Sequence, residues 1–267
     1  MKYCFVFVCQ QGELELKSML LAASLKRFLN CDYECVAAIP QPTSRWGTIA
    51  DNTLTFMQKI GVRLAPITNR IDEQYPIGNK IACLGIDSQA DRIVFLDSDM
   101  LCVREFCPDQ EPPVIPLYPQ SQWLPTRRKR LRISKVTPGD TNSVFAAPFN
   151  AKPADLATFG RDLSIWEQVY QLFDLPLPRQ RCVASVSGEL MLPYFNAGMI
   201  AIHNELNFAH HWEACCRKID AATEITNKRP WLDQIALPIT VAELNLAYHC
   251  LDERFNYPVH LKPLSQP

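Results

Sequence analysis

Apolar and polar positions fall along this chain in blocks whose period switches between strand and helix. Residues 3–8 form a continuous apolar run, which predicts a strand buried on both faces, and the polar turn Gln10-Gln11-Gly12-Glu13 ends it. From Leu14 to Leu29, Leu16, Met19, Leu20, Ala23, Leu25 and Phe28 recur at helical spacing, with Lys17, Lys26 and Arg27 between them. Cys35–Ile39 reads as a second short strand, stopped by Pro40 and Pro42. Asn52–Ile60 fits a helix closed by Gly61, and Val62–Ile67 a third strand. Gly78–Ile86 reads as a helix and Ile93–Leu96 as the next buried strand. Strands alternating with helices imply an α/β fold, with a mainly parallel central sheet and helices on both faces.

The middle of the chain is less regular. Residues 108–125 carry six of the 21 prolines, which predicts a long loop or insertion. Ser164–Phe173 reads as a helix broken by Pro176 and Pro178, Met199–Ile202 as a strand, and Phe208–Ile219 as a helix. Ile235–Leu244 begins as a helix and then meets Pro238. With no internal repeat, the expectation is one domain with a Pro-rich and basic excursion at about 108–185.

Composition narrows the class. The 267 residues are 48% hydrophobic and 21% charged, enough for a large packed core. A formal net charge of −1 argues against a nucleic-acid partner. The apolar start, Met1 to Cys9, is followed by no small-residue cleavage site, and no stretch approaches the ~20 apolar residues of a membrane span. The expected location is cytoplasmic, with peripheral contact to the inner face of a membrane as the alternative. Eleven cysteines without paired Cys-x-x-Cys spacing read as reduced thiols, mostly buried.

Candidate chemistry is densest at Arg92-Ile93-Val94-Phe95-Leu96-Asp97-Ser98-Asp99. A buried parallel strand delivers two carboxylates at its carboxyl end, where open α/β sheets hold their ligands. In extended chain the two side chains share a face and converge on one hard cation, Mg²⁺ or Mn²⁺, which takes oxygen ligands together with substrate phosphates. The same pair also fits a plain turn in which the Asp side chains cap backbone amides.

Further segments, in order, resemble GT-A-fold glycosyltransferases, most closely family eight, the glycogenin and bacterial galactosyltransferase group. They are the amino-terminal strand and turn with Cys9, Gln10 and Gln11; Asn79-Lys80 ahead of Asp97-Ser98-Asp99; Tyr194-Phe195-Asn196-Ala197-Gly198; and Trp231-Leu232-Asp233-Gln234. The resemblance implies a GT-A (Rossmann-like) fold and transfer of a sugar, with retention, from a nucleotide-diphosphate donor, most often uridine-linked. The acceptor would be a hydroxyl on a carbohydrate, lipid or other molecule. It implies Mn²⁺ or Mg²⁺ on Asp97 and Asp99, the nucleotide base near Gln11, and donor contacts from Lys80, Ser98, Asn196, Ala197 and Gly198. Asp233 is implied to grip sugar hydroxyls and Gln234 to sit beside the anomeric carbon. Read without the resemblance, Asn196–Gly198 is a plausible turn before a strand and Asp233 a plausible helix N-cap.

One element departs from the family pattern. Family members carry a late histidine, completing the metal site, and then a Lys-Pro element; here His260 with Lys262-Pro263 is a compressed version lacking the usual glycine. A neutral imidazole ligand at His260 would favour Mn²⁺. The basic run Arg127-Arg128-Lys129-Arg130-Leu131-Arg132 reads as a phosphate-clamping lid, an anionic-acceptor site, a lipid-headgroup contact or a solvated loop. Trp46, Trp123 and Trp166 are candidate sugar-stacking rings, with ordinary packing as the alternative. Two rival functions remain: a degenerate sugar- or nucleotide-binding protein without turnover, and a nucleotidyltransferase, against which the first turn lacks a Gly-rich phosphate loop.

Overall fold

The computed structural model describes residues 1–107, 113–115, 118–119, 134–135, 140–149 and 163–261. In chain order the elements are β1 (Tyr3–Val8), α1 (Glu13–Phe28), β2 (Tyr33–Gln41), α2 (Thr43–Trp46), α3 (Asp51–Lys59), β3 (Arg63–Thr68), α4 (Gly78–Cys83) and β4 (Arg92–Leu96). There follow β5 (Pro113–Ile115), β6 (Tyr118–Pro119), β7 (Ser134–Lys135), β8 (Ser143–Pro148), α5 (Leu163–Gln171), β9 (Gln180–Val183) and β10 (Leu190–Met191). The last are β11 (Phe195–His203), α6 (Phe208–Ala221), α7 (Leu232–Glu243) and β12 (Ala247–Leu251). Two compact units are formed, Met1–Gln110 with Gly198–Ala214, and Glu111–Ala197 with Cys215–Pro267. The chain passes between them inside β11 and inside α6.

In the first unit the strands run in the order β3-β2-β1-β4-β11. The first four are mutually parallel, and β11 closes onto β4 antiparallel, Met199 opposite Leu96 through His203 opposite Arg92. Every residue of β1 and β4 is buried, as unbroken apolar runs require of strands covered on both faces. Gly12, at φ +96°, turns β1 into α1, a conformation that costs glycine little. Acidic Glu13 and Glu15 lie in the first turn of α1 and basic Lys26 and Arg27 in its last, each matched to the helix dipole. Glu15 also ties α3 to α1, its carboxylate accepting from Thr53 Oγ1 at 2.6 Å and from the Ala50 amide at 3.0 Å.

The strand expected to stop at Pro40 runs on to Gln41, pairing with β3. The Ala38 carbonyl accepts from the Cys9 amide, so Ala38 faces β1; Pro40, two residues on, faces the same side after β1 has ended. Its missing N–H therefore breaks no ladder bond.

In the second unit β8 pairs parallel with β12, which pairs antiparallel with β5, and β5 with β7. A small antiparallel sheet has the order β10-β9-β6. Aromatic rings fill much of this core. Trp166, fully buried on α5, meets Tyr194 at 5.7 Å between centroids, and Tyr194 meets Phe149 at 4.4 Å. Trp166 is thus a core residue, and so is Trp46 at 6% exposure in the first unit. Trp123 and the basic run 127–132 lie outside the described residues, as does most of the Pro-rich stretch. Helix α7 continues through Pro238, which the sequence reading took as an interruption. Ten of its residues are buried, and that packing offsets the main-chain bond a proline cannot give.

All eleven cysteines are free, eight of them buried and only Cys31, Cys102 and Cys107 partly exposed. Burial pushes the thiols of Cys4, Cys35 and Cys215 up to about 12 and that of Cys182 up to about 11. A thiol reagent at pH 8 is therefore expected to label no more than Cys31, Cys102 and Cys107 natively and all eleven after denaturation, counted by intact mass. Rapid native labelling of Cys4 or Cys215 would contradict this core.

Candidate active site

In the first unit the site is a turn at the carboxyl end of β4. The extended geometry expected of Asp97-Ser98-Asp99 is not what forms. The Met100 amide donates to the Asp97 carbonyl at 3.0 Å, folding the segment into a reverse turn. Two anchors set that turn: the Asp97 amide donates to the Gly198 carbonyl at 2.8 Å, and the buried Ser98 hydroxyl donates to the Val8 carbonyl. Ser98 is thus committed to the neighbouring strand. The two carboxylates are left outside, Asp97 half-buried and Asp99 exposed.

Lys80 comes to this turn from α4. Its ammonium is 3.3 Å from Asp97 Oδ1 and 5.8 Å from the centre of the Phe95 ring, with 14% of the side chain exposed. The start of α4 is held by Asn69, whose Nδ2 donates to the carbonyls of Asp72 and Tyr75. A Cβ on Gly78 would come within 2.5 Å of Asn69 Oδ1, so glycine is what lets Asn69 seat against the helix. Asn79, only 1% exposed, donates from Nδ2 to Gln10 Oε1 at 3.3 Å, while its Oδ1 meets no hydrogen-bond partner among the described residues. Gln11 lies over Gly47 (φ +84°), whose place no side chain could take without striking it.

In the second unit, Asn196 and Ala197 lie within β11, not in a turn before it, and Gly198 continues that extended strand in the first unit. The strand alternates buried Phe195, half-buried Asn196 and buried Ala197, so the amide of Asn196 stands on the more open face. Phe195 packs edge-on against Tyr248 at 5.1 Å.

Asp233 is not an N-cap. Helix α7 begins at Leu232 with Trp231 as the capping residue, which puts Asp233 in the first turn, where the dipole favours a carboxylate. Asp233 is 1% and Gln234 8% exposed. The Tyr194 hydroxyl is held far above the usual tyrosine range, by burial first and by the Asp233 charge second. Gln234 Oε1 meets no hydrogen-bond partner among the described residues, an acceptor that a sugar hydroxyl would satisfy. Tyr194 was missed in the sequence reading as a neighbour of Asp233; its one signal was its place beside Phe195-Asn196.

His260 is exposed in a closing turn, where the Leu261 amide donates to the Pro258 carbonyl at 2.9 Å. Lys262 and Pro263 lie outside the described residues. Among the described residues no group of three His, Cys, Asp or Glu side chains is arranged to hold a metal ion. The donor set at the β4 turn is two carboxylates, which fits a hard cation completed by substrate phosphates and water.

Residues 5–130 and 140–245 match the model of the Rhodobacterales glycosyltransferase domain. The chain belongs to this family. It is a glycosyltransferase, and the matched span includes Lys80, Asp97, Asp99, Asn196, Asp233 and Gln234 but stops short of His260. The family match supports the resemblance drawn from the sequence at the level of glycosyltransferase; it does not specify family eight. Among solved structures, the chain is similar to apo mouse xyloside xylosyltransferase 1, with 12% identity over 95% of this chain and 86% of that one, TM-score 0.47. It is also similar to the glycosyltransferase GlyE of Streptococcus pneumoniae TIGR4, with 16% identity over 97% of this chain and 47% of that one, TM-score 0.45. No curated protein matches the chain. Among the described residues no helix is long and apolar enough to cross a membrane.

Proposed function

We propose that this glycosyltransferase moves a sugar from a uridine diphosphate donor to a hydroxyl acceptor with retention of configuration, in the manner of the family-eight GT-A enzymes it resembles. The observation that carries the reading is the turn after β4, where two carboxylates and the Lys80 ammonium stand together at the carboxyl end of a parallel sheet. Asp97 and Asp99 hold Mn²⁺ or Mg²⁺; when bound, the ion neutralises the diphosphate leaving group. Lys80, now against Asp97, supplies a second positive charge to the same phosphates. The free acceptor at Asn79 Oδ1 takes a donor hydroxyl or amide, and Gln11 meets the nucleotide base, a role resting on the family resemblance alone. Asn196, Asp233 and Gln234 take the hydroxyls of the donor sugar, a role resting on the family resemblance and on the buried, unsatisfied Gln234 Oε1. Retention needs no strong enzymic base, since the departing phosphate accepts the acceptor's proton. His260 as a further ligand is part of the same proposal.

The departure from the family pattern at the late histidine, with His260 exposed and beyond the matched span, favours one second reading, a nucleotide- or sugar-binding protein without turnover. A hydrolysis screen across nucleotide sugars, with Mn²⁺ or with chelator, separates the two by the nucleoside diphosphate released. Metal-dependent release from a uridine diphosphate sugar is expected. Release that ignores chelator would remove the metal from the mechanism. Binding by calorimetry with no release from any donor would establish the second reading. The nucleotidyltransferase reading is set aside by the family match.

A further inference from the structure

Trp231 is the one aromatic residue that stands exposed among the described residues, at 51%. The exposure ends abruptly. Leu232, Asp233 and Gln234, which follow it, are 0%, 1% and 8% exposed. The indole thus stands at the rim of the buried residues that open α7.

The backbone on both sides of the ring is fixed. Before it, Lys228 Nζ donates to the carbonyls of Ile219, Asp220 and Ala222 at 3.0, 2.7 and 2.7 Å. Arg229 donates twice to the Asp220 carboxylate, from Nε at 3.2 Å and from Nη2 at 2.6 Å. These bonds tie the approach to Trp231 onto the end of α6. After it, the Ile235 amide donates to the Trp231 carbonyl at 2.9 Å. An indole on such a base has only two side-chain torsions left to lose, so a ligand immobilises it at small entropic cost.

The neighbouring side chain indicates what that face takes. Trp231 and Gln234 are three residues apart, and the Trp231 backbone is near helical (φ −88°, ψ 13°), which sets the two side chains side by side. Gln234 is more than nine-tenths buried, and its Oε1 has no hydrogen-bond partner among the described residues. That oxygen is satisfied only by an O–H or N–H donor. A flat apolar face beside a lone acceptor complements a pyranose ring, which carries C–H groups on its faces and hydroxyl donors around its edge. An acyl chain would cover the indole but bring no donor. A single indole also falls far short of the roughly 800 Å² per partner that a stable protein interface needs.

We propose that Trp231 is the platform on which a carbohydrate acceptor stacks, so that the acceptor hydroxyl is carried on a sugar ring. This role rests on the glycosyl-transfer reading above, in which Gln234 meets the donor sugar. The donor sugar takes the buried amide, and the acceptor ring, entering from solvent, lies against the exposed indole beside it. Trp231 binds the acceptor and takes no part in the bond exchange.

The test is saturation-transfer NMR on the full chain with the methyl glycosides of glucose, galactose, mannose, xylose and N-acetylglucosamine, with and without uridine diphosphate and Mn²⁺. It reads binding without turnover. Saturation of the ring C–H protons of at least one glycoside is expected, and Trp231→Ala should weaken that binding by about tenfold or more. Trp231→Tyr keeps a flat aromatic face and should recover part of the loss. Trp231→Leu, apolar but not flat, should not, a comparison that stands even where the alanine variant fails to fold. No saturation of any glycoside by the unaltered chain would overturn the proposal. So would binding that the folded alanine or leucine variant retains in full. The donor-hydrolysis screen reads the underlying function separately. Hydrolysis without glycoside binding would remove the platform and leave sugar transfer standing. Glycoside binding that depends on Trp231, without hydrolysis, would keep the platform on a sugar-binding protein.

Discussion

Asp97→Asn is expected to lower metal-dependent donor turnover by about a thousandfold, the effect of losing several kcal/mol of charge stabilisation at a leaving diphosphate. The substitution keeps the shape of the side chain and removes one of the two negative charges at the β4 turn. The fold should tolerate it. The Asp97 anchor to Gly198 is a main-chain bond, and the Ser98 anchor to Val8 does not involve the carboxylate. The ion pair with Lys80 is lost, but the Asp97 side chain is 36% exposed, so that pair is worth little to stability. The measurement is turnover against Mn²⁺ concentration beside a thermal unfolding curve. Turnover within tenfold of the unaltered chain would leave Asp97 as a turn residue only, and an equal fall in both readings would make the defect one of folding.

Trp166→Ala should cost about 3–5 kcal/mol in the second unit, the range for deleting a large buried ring. Trp166 has no exposed surface and touches both Tyr194 and Tyr170. Its removal opens a cavity against Tyr194, the residue two before Asn196, so donor affinity should weaken along with stability. Chemical denaturation of the two chains reads the cost, and Trp166→Phe should recover part of it. A loss below about 1 kcal/mol would mean that the site collapses freely around the gap.

The sequence spoke clearly where burial alone shapes an element. β1 and β4 are unbroken apolar runs covered on both faces, and α1 shows an uninterrupted helical period. It spoke less clearly where one residue's local preference met a tertiary partner. Pro40 and Pro238 read as stops, yet one lies past the end of its neighbouring strand and the other sits in a buried helix. Asn196 to Gly198 looked like a turn because glycine and asparagine favour turns, but pairing on β11 draws them straight. The Asp97–Asp99 pair was legible as a carboxylate pair at a strand end. Its turn was not, since the bonds that fold it come from Val8 and Gly198, far away in sequence. Lys80 was legible by its place ahead of the strand, whereas the support beneath it, Asn69 against Gly78, showed no pattern.

The pairing of β11 with β4 also sets an order of events during synthesis. Met199 meets Leu96 across a gap of about a hundred residues, so a ribosome adding roughly 5–20 residues per second needs about 5–20 s to supply the missing strand. Throughout that interval β4 has an open edge, and the Asp97 amide waits for the Gly198 carbonyl. The carboxylate turn therefore gains the second of its two anchors, and the strand that covers its open edge, only after most of the chain has emerged.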